Sequence, residues 1–391
     1  MKILLISPYF PPYTGVGGLR MASLARSLLE AGDRLTVVKE DPASYPPGMA
    51  GGTQIPGIVY KEFMAGKDER ETALRLQSLL SGLLQGERFD CCLVSCGPFY
   101  TIRPVSALWE RIQIPLVIDY RDLWLYDPRP ATTLRMFLGR SRQRLAEHPV
   151  EKKVLRICSS FVTCTPNILQ IMEDHYPFIK GRSACIFNGY DLPEKSPGQS
   201  HPDESEIRIF ILGKLAYYTP HGAEAFFRAA ASLIKKGRPI RVIHAGAAEA
   251  LEGIFSKAGF PKGRFQELGP LPYEDALAAA ESAHICTAII SYAAGLGTKI
   301  FDYIYLNKPI VAYAPENSEF EALLSEAENA YVCQTSEDME AAIEKIVTEK
   351  RYVLTNDPAY RLRFSRQAQN RKYRALLEEV SGVRAGDDGV R

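Results

Sequence analysis

YTGVGGLRMASLARSLLEAG, residues 13 to 32, follows the apolar run KILLIS and a proline-rich bend, and it leads straight into RLTVV. Apolar residues at helical spacing between two short β-branched runs make this a strand, loop, helix and strand unit. A dinucleotide-binding turn needs G-x-G-x-x-G; the chain has Gly15 and Gly17 but places Arg20 where the third glycine would let helix and strand pack closely. Glu40, at the end of the second run, stands where a ribose-binding acid would, so a nicotinamide dehydrogenase stays among the alternatives. Residues 7 to 14 separate the first strand from the glycines, a loop better suited to roofing a cleft than to gripping a pyrophosphate. Gly17 and Gly18 either offer main-chain amides to an anion or sugar, with Arg20 adding charge, or serve a turn that requires positive φ.

Outward from this unit the same alternation continues through FDCCLVSC, PLVIDYRD, FVTCTP and ACIFNGY, the pattern of a parallel sheet covered by helices. DLPEKSPGQSHPDESE then interrupts it with a polar, aperiodic stretch. The alternation restarts at IRIFILGKL and runs through IRVIHAG, FQELGPL, HICTAII, PIVAY and AYVCQT. The expected class is therefore α/β, with two doubly wound domains over residues 1–190 and 207–357 joined by a linker at 191–206. A basic helix over 358–380 has no following strand and is expected to cross back onto the first domain, with 381–391 as a disordered tail. Ligands bind at the carboxyl ends of such sheets, so the site is expected where the two sets of strand ends face one another.

The totals exclude several classes. Forty-seven basic residues against 46 acidic ones give no general attraction to nucleic acid. Eight cysteines lie mostly in apolar runs without a C-x-x-C pair and read as reduced core thiols, and six scattered histidines lack metal-ligand spacing. ILLI is too short for a signal-peptide core, and no apolar run reaches a membrane span, so a cytoplasmic protein is expected, with any membrane contact peripheral. One segment suits such contact. Between Arg129 and Arg156, eight arginines and lysines against two glutamates interleave with Leu134, Met136, Phe137 and Leu138, which reads either as contact with an anionic membrane at its inner face or as a solvated helix.

SPYFPPYTGVGGLRMASLARSLLEAGDRLTVV resembles the opening of glycosyltransferase family 4, and VIDYRDLW, TCTPNI, IFNGYD, FILGKLAYYTPHGAEAF, LGPLPYEDALAAAESAHI and GLGTKIFDYIYLNKPIVAY follow in the family's order. The resemblance implies a GT-B fold, a nucleotide-diphosphate-sugar donor, transfer with retained anomeric configuration, and neither metal nor cofactor. The acceptor would be a glycan, a lipid-linked intermediate or a small-molecule aglycone.

Chemistry read from the last block agrees. Charge grows on the departing phosphate, and a protein meets it with cations and amides. Gly295, Leu296, Gly297 and Thr298 lead into a helix, Lys299 adds a full charge, and Lys214 follows the first strand of the second half as the matching cation. Asp302, one turn deeper, either accepts from two ribose hydroxyls or is a solvated helix acid. The resemblance adds Leu271 and Asn188 to the donor side, with Gly17 and Gly18. In DYRDLW, Asp122 either orients the acceptor hydroxyl or pairs with Arg121, which otherwise binds phosphate; Gly97 and Arg20 complete the acceptor side. The family's sugar-facing glutamate is replaced by Ala294, and a second lysine by His221-Gly222. Those departures keep a non-catalytic nucleotide-sugar-binding relative open as an alternative, beside a sugar-nucleotide epimerase.

Overall fold

The structure, a computed structural model, describes residues 1–14, 16–127, 131–191, 205–216, 219–290, 292 and 296–382. The chain divides into two compact units, Met1–Asn188 with Arg366–Arg391, and Gly189–Ser365.

In the first unit, strands β1 (Lys2–Ile6), β2 (Arg34–Glu40), β3 (Val59–Phe63), β4 (Cys91–Cys96), β5 (Leu116–Tyr120), β6 (Ser160–Thr163) and β7 (Ser183–Cys185) form a parallel sheet in the order β3-β2-β1-β4-β5-β6-β7. Helices α1 (Val16–Glu30), α2 (Glu69–Gly86), α3 (Ile102–Leu108), α4 (Leu134–Ile157) and α5 (Pro166–His175) connect them. Alternation along each strand fills two apolar layers. Leu4, Ile6, Cys92, Val94 and Ile118 point to one face, and Ile3, Leu5, Cys91, Leu93 and Val117 to the other.

The second unit repeats the plan. Strands β8 (Ile207–Leu212), β9 (Ile240–Ala245), β10 (Phe265–Gly269), β11 (Ile285–Ile289), β12 (Ile310–Tyr313) and β13 (Ala330–Cys333) lie parallel in the order β10-β9-β8-β11-β12-β13. Its helices are α6 (Pro220–Lys235), α7 (Glu252–Ala258), α8 (Tyr273–Glu281), α9 (Lys299–Tyr305), α10 (Glu319–Leu324), α11 (Ser336–Glu349) and α12 (Pro358–Leu362). Thr-Pro pairs start two helices by one mechanism. The hydroxyls of Thr165 and Thr219 accept from the amides of Ile168 and Gly222, while Pro166 and Pro220 occupy a position whose N–H would go unused.

The basic run beyond Pro358 is two helices instead of one. Tyr190 takes the main chain at the break, its N–H donating to Phe364 O at 3.2 Å and its hydroxyl to Arg361 O at 2.9 Å. Past it, α13 (Arg366–Ser381) belongs to the first unit, where Tyr373 and Leu377 join the layer of Met21, Leu24 and Leu28. In each sheet the strand order reverses once, between β1 and β4 and between β8 and β11, and it is at such switch points, beyond the carboxyl ends of the strands, that open α/β sheets form ligand crevices.

Candidate functional site

At the switch point of the second unit the ends of three strands are laced together. The Gly213 N–H donates to Ala245 O at 2.7 Å and the Gly246 N–H to Gly269 O at 3.0 Å. A Cβ on Gly246 would lie 2.5 Å from Gly213 O, so only glycine permits this approach. His244 is fully buried, and its Nε2 lies 2.6 Å from Gly213 O; a carbonyl only accepts, so Nε2 carries the proton.

Lys299 enters the same crevice from the β11 side. Its Nζ donates to Leu212 O at 2.6 Å and approaches Lys214 O at 3.5 Å. Embedding the ammonium lowers its pKa to about 8, against the upward pull of the Glu249 carboxylate. Glu249 takes up the turn after β8, its two oxygens accepting from the amides of Leu215 at 2.6 Å and Ala216 at 2.7 Å. Lys214 sits exposed on that turn. The result is a short stretch of main chain held between a cation and a carboxylate.

Asp302 lies one turn into α9, and its Oδ1 accepts from the hydroxyl of Tyr273 at 2.7 Å. Tyr273 opens α8, two residues after Leu271, so this bond joins the β10–α8 turn to α9. Helix α9 has only 7 residues, and Ile300 and Phe301 donate to Gly297 O and Thr298 O. Thr298 makes no side-chain cap. Charge at this end therefore rests on Lys299 more than on a helix dipole, which grows from aligned peptides. Gly222 is needed for packing: a Cβ there would meet Tyr313 at 2.6 Å and Ile289 at 2.8 Å. Gly295 and Ala294 lie outside the described residues, as does Arg129.

In the first unit, Arg121 leaves β5 and braces both loops of the switch point. Its guanidinium donates to Gly17 O at 2.9 Å and to Gly97 O, although the sequence offered it phosphate or Asp122. A Cβ on Gly17 would lie 2.9 Å from Arg121 Nη1, and one on Gly18 would lie 3.1 Å from Tyr9 O. Gly97 has φ +121°, a conformation side chains resist. Asp122 is exposed next to this brace.

Arg20 corrects the expectation of an acceptor-side cation. It is 5% exposed and turns inward, 3.2 Å from Asp119 and bonded to Ile186 O and to the Tyr373 hydroxyl. Asp119 has no exposure at all, and a buried carboxylate requires such partners. Tyr373 also donates to Asp119 at 2.8 Å, so this triad fastens α13 to the sheet. Glu40 is likewise engaged, accepting from Tyr100 while burial raises its carboxyl pKa. Asn188 contributes its carbonyl to Arg366 Nε at 3.2 Å. A cavity of about 380 Å³ lies between Arg26, Leu29 and Glu30 and residues 53–56. It adjoins the carboxyl end of α1, hence the amino ends of the strands, away from the switch point of its own unit.

Several residues at these sites carried no usable signal in the sequence. Glu249 lies in an unpatterned loop, and the tyrosine hydroxyls find their partners only through folding. Tyr273 stood inside the LGPLPYED block and was the one within reach.

Residues 17–194 match the model of Glycosyltransferase Family 4. No curated protein sequence matches the chain. Among solved structures, a glycosyltransferase from Rickettsia africae is similar at 12% identity and TM-score 0.69, over 97% of this chain and 98% of that one. HepE from Anabaena, in complex with UDP and glucose, gives 14% identity and TM-score 0.64 over 97% and 100%. MnaA from S. aureus, with UDP, gives 13% and 0.57 over 98% of both chains. The molecule thus has the GT-B fold of glycosyltransferases. Within the first unit it is similar to glycosyltransferase family 4 over the matched residues.

Proposed function

We propose that the protein is a retaining glycosyltransferase that needs no metal and moves a sugar from a nucleotide-diphosphate donor to an alcohol. The observation that carries this reading is the position of Lys299 at the β8/β11 crevice, against the main chain of residues 212–214. Lys299 and Lys214 meet the diphosphate there, with amides of residues 296–298, Gly295 among the donor contacts, and Asp302 and Leu271 hold the ribose and base. Neighbours of this fold include proteins bound to UDP, which supports a nucleotide in this unit.

The acceptor hydroxyl attacks the anomeric carbon from the side of the leaving group. The bond from that carbon to the phosphate oxygen breaks, the new glycosidic bond forms, and the hydroxyl proton passes to the departing phosphate. Asp122 orients the acceptor, and Arg121 acts as a positioning residue through the loops of Gly17 and Gly97. Acceptors are glycans, lipid-linked intermediates or small aglycones; a lipid-linked one fits peripheral contact with an anionic membrane through the basic segment ending at Arg156.

Incubation with radiolabelled UDP-, GDP-, ADP- and dTDP-sugars and a mixed acceptor pool tests this reading. It expects labelled product whose new linkage keeps the donor's anomeric configuration. Inverted product removes the retaining mechanism. Binding without turnover assigns the non-catalytic alternative that Ala294 favours.

A further inference from the structure

One half of α4 is left uncovered. Its later turns bury Glu151, Val154 and Leu155 against the sheet, whereas Leu134, Phe137, Leu138 and Leu145 are 72, 59, 44 and 83% exposed. Leu134, Leu138, Ser141 and Leu145 recur at helical spacing along one line, with Phe137 beside it. The basic residues of this helix divide into two groups. Arg140 pairs with Asp127 at 3.0 Å, Arg144 donates to Leu125 O over the Tyr126 ring, and Lys153 pairs with Glu110 at 3.0 Å. These hold the helix to its own unit. Arg135 and Arg142 stay exposed at the margin of the apolar line, and among the described residues neither meets a carboxylate.

We propose that this face of α4 docks on an anionic lipid bilayer, its leucines and Phe137 entering the headgroup boundary and Arg135 and Arg142 binding lipid phosphates. The inference deepens the lipid-linked acceptor of the proposed function and rests on that reading for its purpose, though not for its test. Charge decides the occupant. No acidic residue occurs between Leu134 and Ala146, so a second copy pressed against the same face would gather four arginines without an answering carboxylate. A bilayer supplies both the apolar layer and the phosphates. Among the described residues no helix is long and apolar enough to cross a membrane, so α4 lies in the interface plane.

Flotation of the full chain with phosphatidylcholine vesicles, alone or mixed with phosphatidylglycerol, tests it. Binding is expected only to the mixed vesicles. Replacing both arginines (Arg135→Gln with Arg142→Gln) should weaken it about 25-fold, roughly fivefold for each residue. Leu138→Asp with Leu145→Asp should abolish it, with melting temperature and UDP affinity unchanged. Absent binding by the wild type, or binding indifferent to both double variants, overturns the proposal. A wild-type dimer lost in the leucine variant gives the face to a second copy and overturns it as well. UDP affinity measured in parallel separates this failure from failure of the donor site: retained UDP binding without vesicle binding removes only the membrane surface.

Discussion

Lys299 Nζ lies 2.6 Å from the carbonyl oxygen of Leu212, tying the first residue of α9 to the end of β8, one of the two strands between which the second sheet reverses its order. The bond places an ammonium at the end of β8, and its burial there lowers the pKa to about 8.

Nucleoside diphosphate affinity should therefore fall as pH rises from 7 to 9, because Lys299 loses its proton in that window. The Glu249 carboxylate pulls this pKa upward, so Glu249→Gln should move the midpoint to lower pH. Calorimetric titration of UDP against pH checks both signs. A flat profile in the wild type would place the titrating lysine outside the anion site.

Asp302 accepts from Tyr273 on one oxygen and is proposed to take ribose hydroxyls. Asp302→Asn should cost about tenfold in affinity for a ribonucleotide, the scale of a hydrogen bond to a charged group, and much less for the 2′-deoxy analogue. Comparing UDP with dUDP reads this out. Equal losses for both would make Asp302 a fold residue only.

Gly17→Ala should loosen the brace across the first switch point, since the added methyl would lie 2.9 Å from Arg121 Nη1. The guanidinium is the far end of a flexible side chain and yields, so the expected cost is that of its weakened hydrogen bond to Gly17 O, about 1 kcal/mol. Urea unfolding of Gly17→Ala, Arg121→Ala and the pair should show losses well short of additive. Full additivity would mean that the two residues do not act together.

Glu151 is buried beneath Tyr120 and Tyr176, whose hydroxyls donate to it at 3.1 and 2.6 Å, and burial raises its pKa to about 7. The folded chain keeps a proton there that the unfolded chain has already lost, so the stabilisation is full at low pH and disappears as pH rises through about 7. Glu151→Gln should remove this dependence and be more stable than the wild type at pH 8, by up to about 3 kcal/mol. Thermal unfolding at pH 5 and 8 decides it, and parallel pH dependence in the two proteins would contradict the assignment.

Both sheets were legible because buried parallel strands announce themselves as short apolar runs between helical periods, and Thr165-Pro166 and Thr219-Pro220 mark helix starts by local chemistry alone. That Lys299 and Asp302 stand one turn apart on a single helix was legible from their spacing. Arg20 was not. Its direction depends on Tyr373, 353 positions away, and on a carboxylate buried in β5, neither of which local sequence can place beside it. The same holds for Arg121, which meets two carbonyls from separate loops, and for Glu249, whose partners are main-chain amides with no side-chain signature.

The central claim is that the second unit seats a nucleotide diphosphate on Lys299, and calorimetry of UDP and GDP with the wild type and Lys299→Ala tests it most directly. Removing a charge-assisted contact predicts at least a tenfold rise in Kd, on the order of 1.5–3 kcal/mol, with Lys299→Arg recovering part of it. Equal affinity in wild type and Lys299→Ala would contradict the account.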